Sequence, residues 1–393
     1  MRIVVFTESY EPVVNGVSVS VATLRDALRE RGHDVIVFAP EFPGHEDAEG
    51  VFRFPSVTSR YAEGYPIAIP ISPKLKESFL AFRPDIVHTQ TPFFLGVVGM
   101  HWARKARVPI VSTNHTMYTE YVHYLPFVPR PVTTAVLVRH MRRYYGQCSA
   151  VVVPSKPVED VLRSYGIDTR MEIIKSGVTT KRVGKRGETR RAFGIPNDAF
   201  LLLYVGRIAR EKNLGLLLES FKEVQKKNPE IRLMIVGSGP YEQASHDLAD
   251  SLGVRENVIF AGMLSREDVE RVYSAADVFV FPSVTETQGI VLCEALTAGL
   301  PCVAVRAAGT PEVLEDGVDS LLTDNSVESF SKSVCRVVSD ANLRTMLSQG
   351  ALRNAEMFTT DAMAEHFERF YRSEIDKKRG KRDWSISSST LLG

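Results

Sequence analysis

The feature that most constrains the chain is an alternation of short apolar strands with amphipathic helical segments, run through twice. In the first half, RIVVF (2–6), DVIVFAP (34–40), DIVHTQ (85–90), PIVSTNHT (109–116) and AVVVPS (150–155) are the strand candidates. Between them lie segments such as VATLRDALRERG (21–32), where Leu24 and Leu28 stand four apart and Gly32 marks a stop. Strands that are apolar throughout have no face to give to water. With helices between them, they predict a parallel sheet covered on both sides. After MEIIKSGV (171–178), residues 179–198 are charged and lack strand patterning, as suits a linker. The alternation then restarts with FLLLYVGR (200–207), RLMIVGSG (232–239), NVIFAG (257–262), DVFVFPS (277–283) and PCVAV (301–305). The expected fold class is α/β, with two doubly wound domains facing a cleft at the carboxyl ends of their strands, where such sheets bind ligands. The expected divisions are 1–178, 179–360, a last helix over 361–376 that can return to the first domain, and a basic, Ser-rich tail over 377–393.

Length and composition narrow the function. At 393 residues either half can bury its own core, and a formal net charge of +1 gives no bulk attraction to nucleic acid. Cys148, Cys293, Cys302 and Cys335 lack metal-type spacing and read as reduced core thiols, so no metal is expected. The chain begins directly with a strand pattern followed by Glu8 and Glu11, unlike a signal peptide, and the expected setting is cytoplasmic. No apolar run approaches the roughly 20 residues needed to span a bilayer, so membrane contact would be peripheral.

Three stretches carry chemistry. In ESYEPVVNGVSVS (8–20) a turn through Pro12, Asn15 and Gly16 opens a helix near Val17, and a helix start with glycine suits an anion. The dinucleotide spacing G-x-G-x-x-G is missing, and alone this is an ordinary strand-to-helix turn. In YVGRIAREKNLGLLLESF (204–221) Arg207 and Lys212 follow the strand end at Gly206, and two cations there suit a diphosphate leaving group without a metal. GSGP (237–240) is a further close-approach turn. In SVTETQGIVLCEALTAGLP (283–301), Gly289 starts a helix that Gly299 and Pro301 close. N–H groups near Gln288, Gly289 and Ile290 suit phosphate oxygens. Glu286 and Glu294 would repel a phosphate and instead suit donors such as sugar hydroxyls. A diphosphate between two polyols, a nucleotide-sugar, explains all the parts.

With Glu286-x7-Glu294, the Gly206, Arg207 and Lys212 set and the early NGV (15–17), the chain resembles the retaining glycosyltransferases of family 4 over roughly residues 1–375. That resemblance implies the GT-B architecture of two Rossmann-like domains and no required cofactor. It implies that Arg207 and Lys212 hold the donor diphosphate, Glu294 the ribose and Glu286 the donor sugar. Gly16 would line the diphosphate from the other domain, and His115 would contact the transferred sugar. The chain departs from the family where many relatives carry an aspartate after the interdomain strand; here Thr179 and Thr180 follow Gly177 and Val178. AAGTPEVLEDGVDSLL (307–322) also matches and reads as mostly architecture.

HTQTPFFLGVVG (88–99), NHTMYTEYVHYLPFVPRP (114–131) and TETQG look like the branch that glucosylates diacylglycerol. Tyr121, Tyr124 and Phe127 lie in a proline-broken loop. The next helix, about 132–146, sets Arg139, Arg142 and Arg143 on one side and Leu137, Val138, Met141, Tyr144 and Tyr145 on the other. Such a helix can rest on an anionic membrane surface or pack its apolar side on the core. The expected function is transfer of a hexose, glucose from UDP-glucose, to a lipid acceptor such as diacylglycerol. A GDP-mannose-dependent mannosyltransferase and a non-catalytic sugar-nucleotide-binding membrane scaffold are the alternatives.

Overall fold

The computed structural model describes residues 1–13, 15–42, 44–45, 48–58, 66–119, 129–179 and 184–390, with side chains as far as residue 380. The chain divides into two compact units, Met1–Gly177 with Thr360–Gly393, and Val178–Thr359.

Unit 1 opens with β1 (Arg2–Phe6), α1 (Gly16–Glu30), β2 (Asp34–Pro40), β3 (Val51–Phe54) and the hairpin strands β4 (Ser56–Thr58) and β5 (Pro66–Ala68). It continues with α2 (Pro73–Phe82), β6 (Ile86–Thr89), α3 (Phe94–Ala106), β7 (Ile110–Thr113), α4 (Arg130–Tyr145), β8 (Ala150–Val153), α5 (Lys156–Ser164) and β9 (Met171–Ile173). Its parallel sheet has the order β3-β2-β1-β6-β7-β8-β9. Alternate residues explain why both faces are covered. Val4 and Phe6 of β1 enter one core, while Ile3 and Val5 enter the other. On the first side Phe6, Phe38, Phe54, Phe79 and Trp102 pack as an aromatic cluster. On the second lie Val21, Leu24 and Leu28 of α1.

Unit 2 contains α6 (Arg186–Ala192), β10 (Leu201–Val205), α7 (Leu214–Lys227), β11 (Arg232–Val236), α8 (Glu242–Leu252), β12 (Val258–Gly262), α9 (Arg266–Ala275) and β13 (Val278–Phe281). Then come α10 (Ile290–Thr297), β14 (Cys302–Val305), β15 (Ser320–Thr323), α11 (Val327–Ser339) and α12 (Ala341–Ala355). The sheet order is β12-β11-β10-β13-β14-β15, all parallel. Strand order therefore reverses between β10 and β13, the switch point that leaves a crevice at the strands' carboxyl ends.

Two segments differ from the sequence expectation. The charged stretch 179–198 is not wholly linker, because α6 packs within unit 2. Arg190 is buried there, donates to the carbonyls of Ala275, Asn197 and Ala199, and pairs with Asp277 at 2.9 Å. A guanidinium's five donors let it be buried when each finds an acceptor, so its charge hid a core position. The last helix, α13 (Thr360–Thr390), runs on through the stretch expected to be a tail. It belongs to unit 1, where Met363, Phe367, Phe370, Tyr371 and Ile375 join the core beside α1. No helix of the described residues is long and apolar enough to cross a membrane.

Candidate functional site

The carboxyl ends of β10 and β13 flank the switch point of unit 2, and most of the residues singled out in its sequence lie there. Gly206 follows β10 with φ 157°, and Arg207 is exposed just beyond it. The GSGP turn packs directly on this loop. A Cβ at Gly237 would stand 2.0 Å from the Gly206 carbonyl oxygen, and one at Gly239 would stand 2.3 Å from that of Ile208. These glycines therefore serve loop-on-loop contact. The Ile208 N–H donates to the Ser238 carbonyl at 2.9 Å.

Lys212 and Glu286 meet across the switch point. The Lys212 ammonium donates to Glu286 Oε1, which also accepts from Ser283 Oγ at 2.9 Å. Both side chains are mostly buried, at 17% and 12% exposure, so the pair is shielded from bulk screening. Asn213, in the left-handed region at φ 59°, holds the same two loops together by donating to the Pro282 carbonyl at 3.2 Å. The turn that follows rests on Gly309, whose N–H donates to the Glu286 carbonyl at 2.8 Å. The stretch 307–322, expected to be mostly architecture, thus reaches the site through one glycine.

Gly289 caps α10 in the left-handed region at φ 78°, and no side chain caps the helix. The first N–H groups of such a helix point outward along its axis. The Gln288 side chain is buried, with Nε2 3.5 Å from Cys293 Sγ. One turn into α10, Glu294 accepts from the Tyr273 hydroxyl at 3.0 Å. Burial raises its pKa, and the Tyr273 hydrogen bond and the charge of Arg266 oppose that rise.

In unit 1, Asn15 caps α1 by accepting from the N–H groups of Val17 and Ser18, which sets Gly16 as the first helical residue. His115 lies just past β7, where burial lowers its pKa to about 4 and leaves it neutral at physiological pH. Its Nε2 donates to Gln90 Oε1 at 2.6 Å, and the Gln90 amide donates to His88 Nδ1 at 3.2 Å. His88 Nδ1 also accepts from the Tyr371 hydroxyl at 2.6 Å, and its Nε2 donates to Thr113 at 2.6 Å. The two acceptor contacts at Nδ1 require the Nε2–H tautomer of His88. Gln90, His88 and Tyr371 are orienting groups that the sequence reading passed over. HTQ (88–90) carried a signal, since polar residues ending an apolar strand need buried partners. Glu8, just past β1, also went unassigned; its Oε1 accepts the Leu95 N–H at 3.0 Å near the start of α3.

The two sides of α4 differ in burial. Met141, Tyr144 and Tyr145 are buried in the core, while Arg139, Arg142 and Arg143 are exposed. The exposed side also carries Val132 and Val136, at 52% and 64% exposure. Tyr121, Tyr124 and Phe127 lie outside the described residues.

Comparison with known proteins matches both halves of the chain. Residues 14–182 match the family model described as Glycosyltransferase Family 4, and residues 185–353 match Glycosyl transferases group 1. An alpha-monoglucosyldiacylglycerol synthase of Streptococcus pneumoniae is 33% identical over 77% of this chain and 71% of its own length. One from Acholeplasma laidlawii is 30% identical over 97% of this chain and 99% of its own. The crystal structure of Anabaena HepE in complex with UDP superposes with a TM-score of 0.74 at 20% identity, covering 95% of this chain and all of that one.

Proposed function

The chain belongs to the family 4, group 1 glycosyltransferases of GT-B fold, and from that premise we propose that it moves glucose from UDP-glucose to diacylglycerol with retention at the anomeric carbon. One observation carries the reading: a lysine and a carboxylate meet across the switch point of unit 2 beside an uncapped helix start. An ammonium carries three donors and can serve a carboxylate and a diphosphate oxygen at once. Lys212, Arg207 and the N–H groups of Gly289 and Ile290 then take the diphosphate, Glu286 a hydroxyl of the hexose and Glu294 those of the ribose. His115 and Gly16 take the roles that the family resemblance implies.

In the transfer, the bond from the anomeric carbon to the diphosphate oxygen breaks, and the acceptor hydroxyl attacks the same face of the sugar. The departing diphosphate takes the acceptor's proton. The protein supplies position and charge complementarity, without a covalent nucleophile. Arg207 and Lys212 neutralise the leaving group, so a chelator is expected to leave the rate unchanged. The basic outer side of α4, with Val132 and Val136, suits an anionic bilayer at about 1 kcal/mol per arginine near the surface. The names of the two glucosyldiacylglycerol synthases support this acceptor.

The test is a panel of UDP-glucose and GDP-mannose against diacylglycerol in mixed micelles and against soluble acceptors, with Glu286→Ala beside the unaltered chain. Glucosyldiacylglycerol is the expected product, and the variant should lose about 100-fold in kcat/KM while its melting stays cooperative. Turnover of GDP-mannose alone would replace the donor. Donor binding without transfer to any acceptor would leave a binding protein. Near-normal transfer by Glu286→Ala would remove its sugar contact.

A further inference from the structure

At the amino-terminal ends of the unit 1 strands, the opposite edge of the sheet from His115, lies a cavity of about 340 Å³. Five cations line it, Arg2, Arg83, Arg107, Lys378 and Arg379, with Asp85 as the one carboxylate among its lining residues. They come from separate parts of the chain. Arg2 opens β1, Arg83 and Arg107 end α2 and α3, and Lys378 and Arg379 lie on α13. Asp85 is already shared: it accepts the Arg2 N–H at 2.8 Å and lies 3.7 and 3.9 Å from the guanidinium groups of Arg2 and Arg379.

Two of these arginines occupy unusual backbone. Arg83 and Arg107 hold φ of 52° and 56°, the left-handed helix end where glycine is the common residue. Chain reversal alone is served better by glycine, so it does not explain arginine twice around one cavity. Neither does neutralising the helix ends. Two helix C-termini amount to roughly one negative charge together, and with Asp85 they offset about two of the five cations. The remaining positive charge, gathered around one concave space, is the arrangement that concentrates an oxyanion.

We infer that this cavity binds a phosphate-bearing anion, held by Arg83 and Arg107 from the helix ends and by Lys378 and Arg379 from the returning helix. Such an anion ties α13 to the strand edge it packs against. It is separate from the donor site, so its success or failure leaves the hexosyl-transfer reading untouched.

The test uses the full chain and the double variant Arg83→Gly/Arg107→Gly. Glycine relieves the left-handed backbone at both positions, and thermal melting of the variant beside the unaltered chain checks that it folds. Inorganic phosphate is titrated calorimetrically at constant ionic strength, with chloride as the balancing anion. Sedimentation is measured in parallel with vesicles of phosphatidylcholine alone and with added phosphatidylglycerol. The expected result is phosphate binding that weakens at least about tenfold in the variant. No heat with phosphate, together with phosphatidylglycerol-dependent sedimentation that the variant loses, would assign the site to a lipid phosphodiester. Equal behaviour of both proteins toward phosphate and both vesicles overturns the inference.

Discussion

Glu8 stands just past β1, and burial lifts its carboxyl from 4.5 to about 7, against the hydrogen bond from Leu95. Unfolded, the group loses its proton near 4.5; folded, it keeps it until about 7. Its contribution to stability is therefore full below the unfolded value and is lost as pH rises through the folded one. A shift of this size corresponds to at most about 3 kcal/mol. Glu8→Gln keeps an oxygen for Leu95 and cannot ionise. Urea unfolding at pH 4.5 and pH 8 should show the variant gaining on the unaltered chain at the higher pH. His88 and His115 work in the opposite direction, being held neutral by burial, but both proteins share them. The same pH dependence in both would mean that Glu8 is not buried as a carboxyl. Sequence reading passed over this residue because a lone glutamate after a strand usually faces water. It singled out Glu286 and Glu294 as candidates because each stood among residues that made it costly or conspicuous.

At the scale of elements, α10 and its flanking loops were legible in advance. A glycine start, an apolar run and a Gly-Leu-Pro stop are local signals, and the helix spans Ile290–Thr297 between them. The support under its first turn was not legible. Gly309 follows β14 and has ordinary backbone, so nothing in its own conformation calls for glycine. It is needed for space: a Cβ would stand 2.4 Å from the Thr287 carbonyl oxygen and 2.9 Å from that of Glu286. Gly309→Ala should push the 286–289 turn away from Lys212. A misplacement of about 1 Å is worth about 100-fold in turnover, while overpacking costs about 1–3 kcal/mol of stability. Steady-state kinetics beside thermal melting separates the two. A variant with unchanged kcat/KM would show that the turn tolerates the shift. The charged segment holding α6 was misread for a related reason, since Arg190 looks solvated until Asp277 and the carbonyls around it are known.

For the whole molecule, the return of α13 to unit 1 is the main decision that lies beyond local pattern. Its buried Met363, Phe367, Phe370, Tyr371 and Ile375 each contribute roughly 2 kcal/mol by burial. Together that is about 10 kcal/mol, comparable with the net stability of a domain. Ending the chain at residue 359 should strip amide-exchange protection from unit 1 while unit 2 keeps its own. Equal loss in both units, or in neither, would contradict the assignment of α13. What the sequence determined by itself was the alternation, hence two parallel sheets, and the residue types gathered at the strands' carboxyl ends. Those follow from periodicity and turn chemistry, which neighbours along the chain decide. Tertiary structure alone decided which groups share a charge or a proton. Lys212 meets Glu286 across 74 positions, and Tyr371 reaches His88 across 283. Such pairings depend on burial and distance in the folded chain, and no local pattern encodes either.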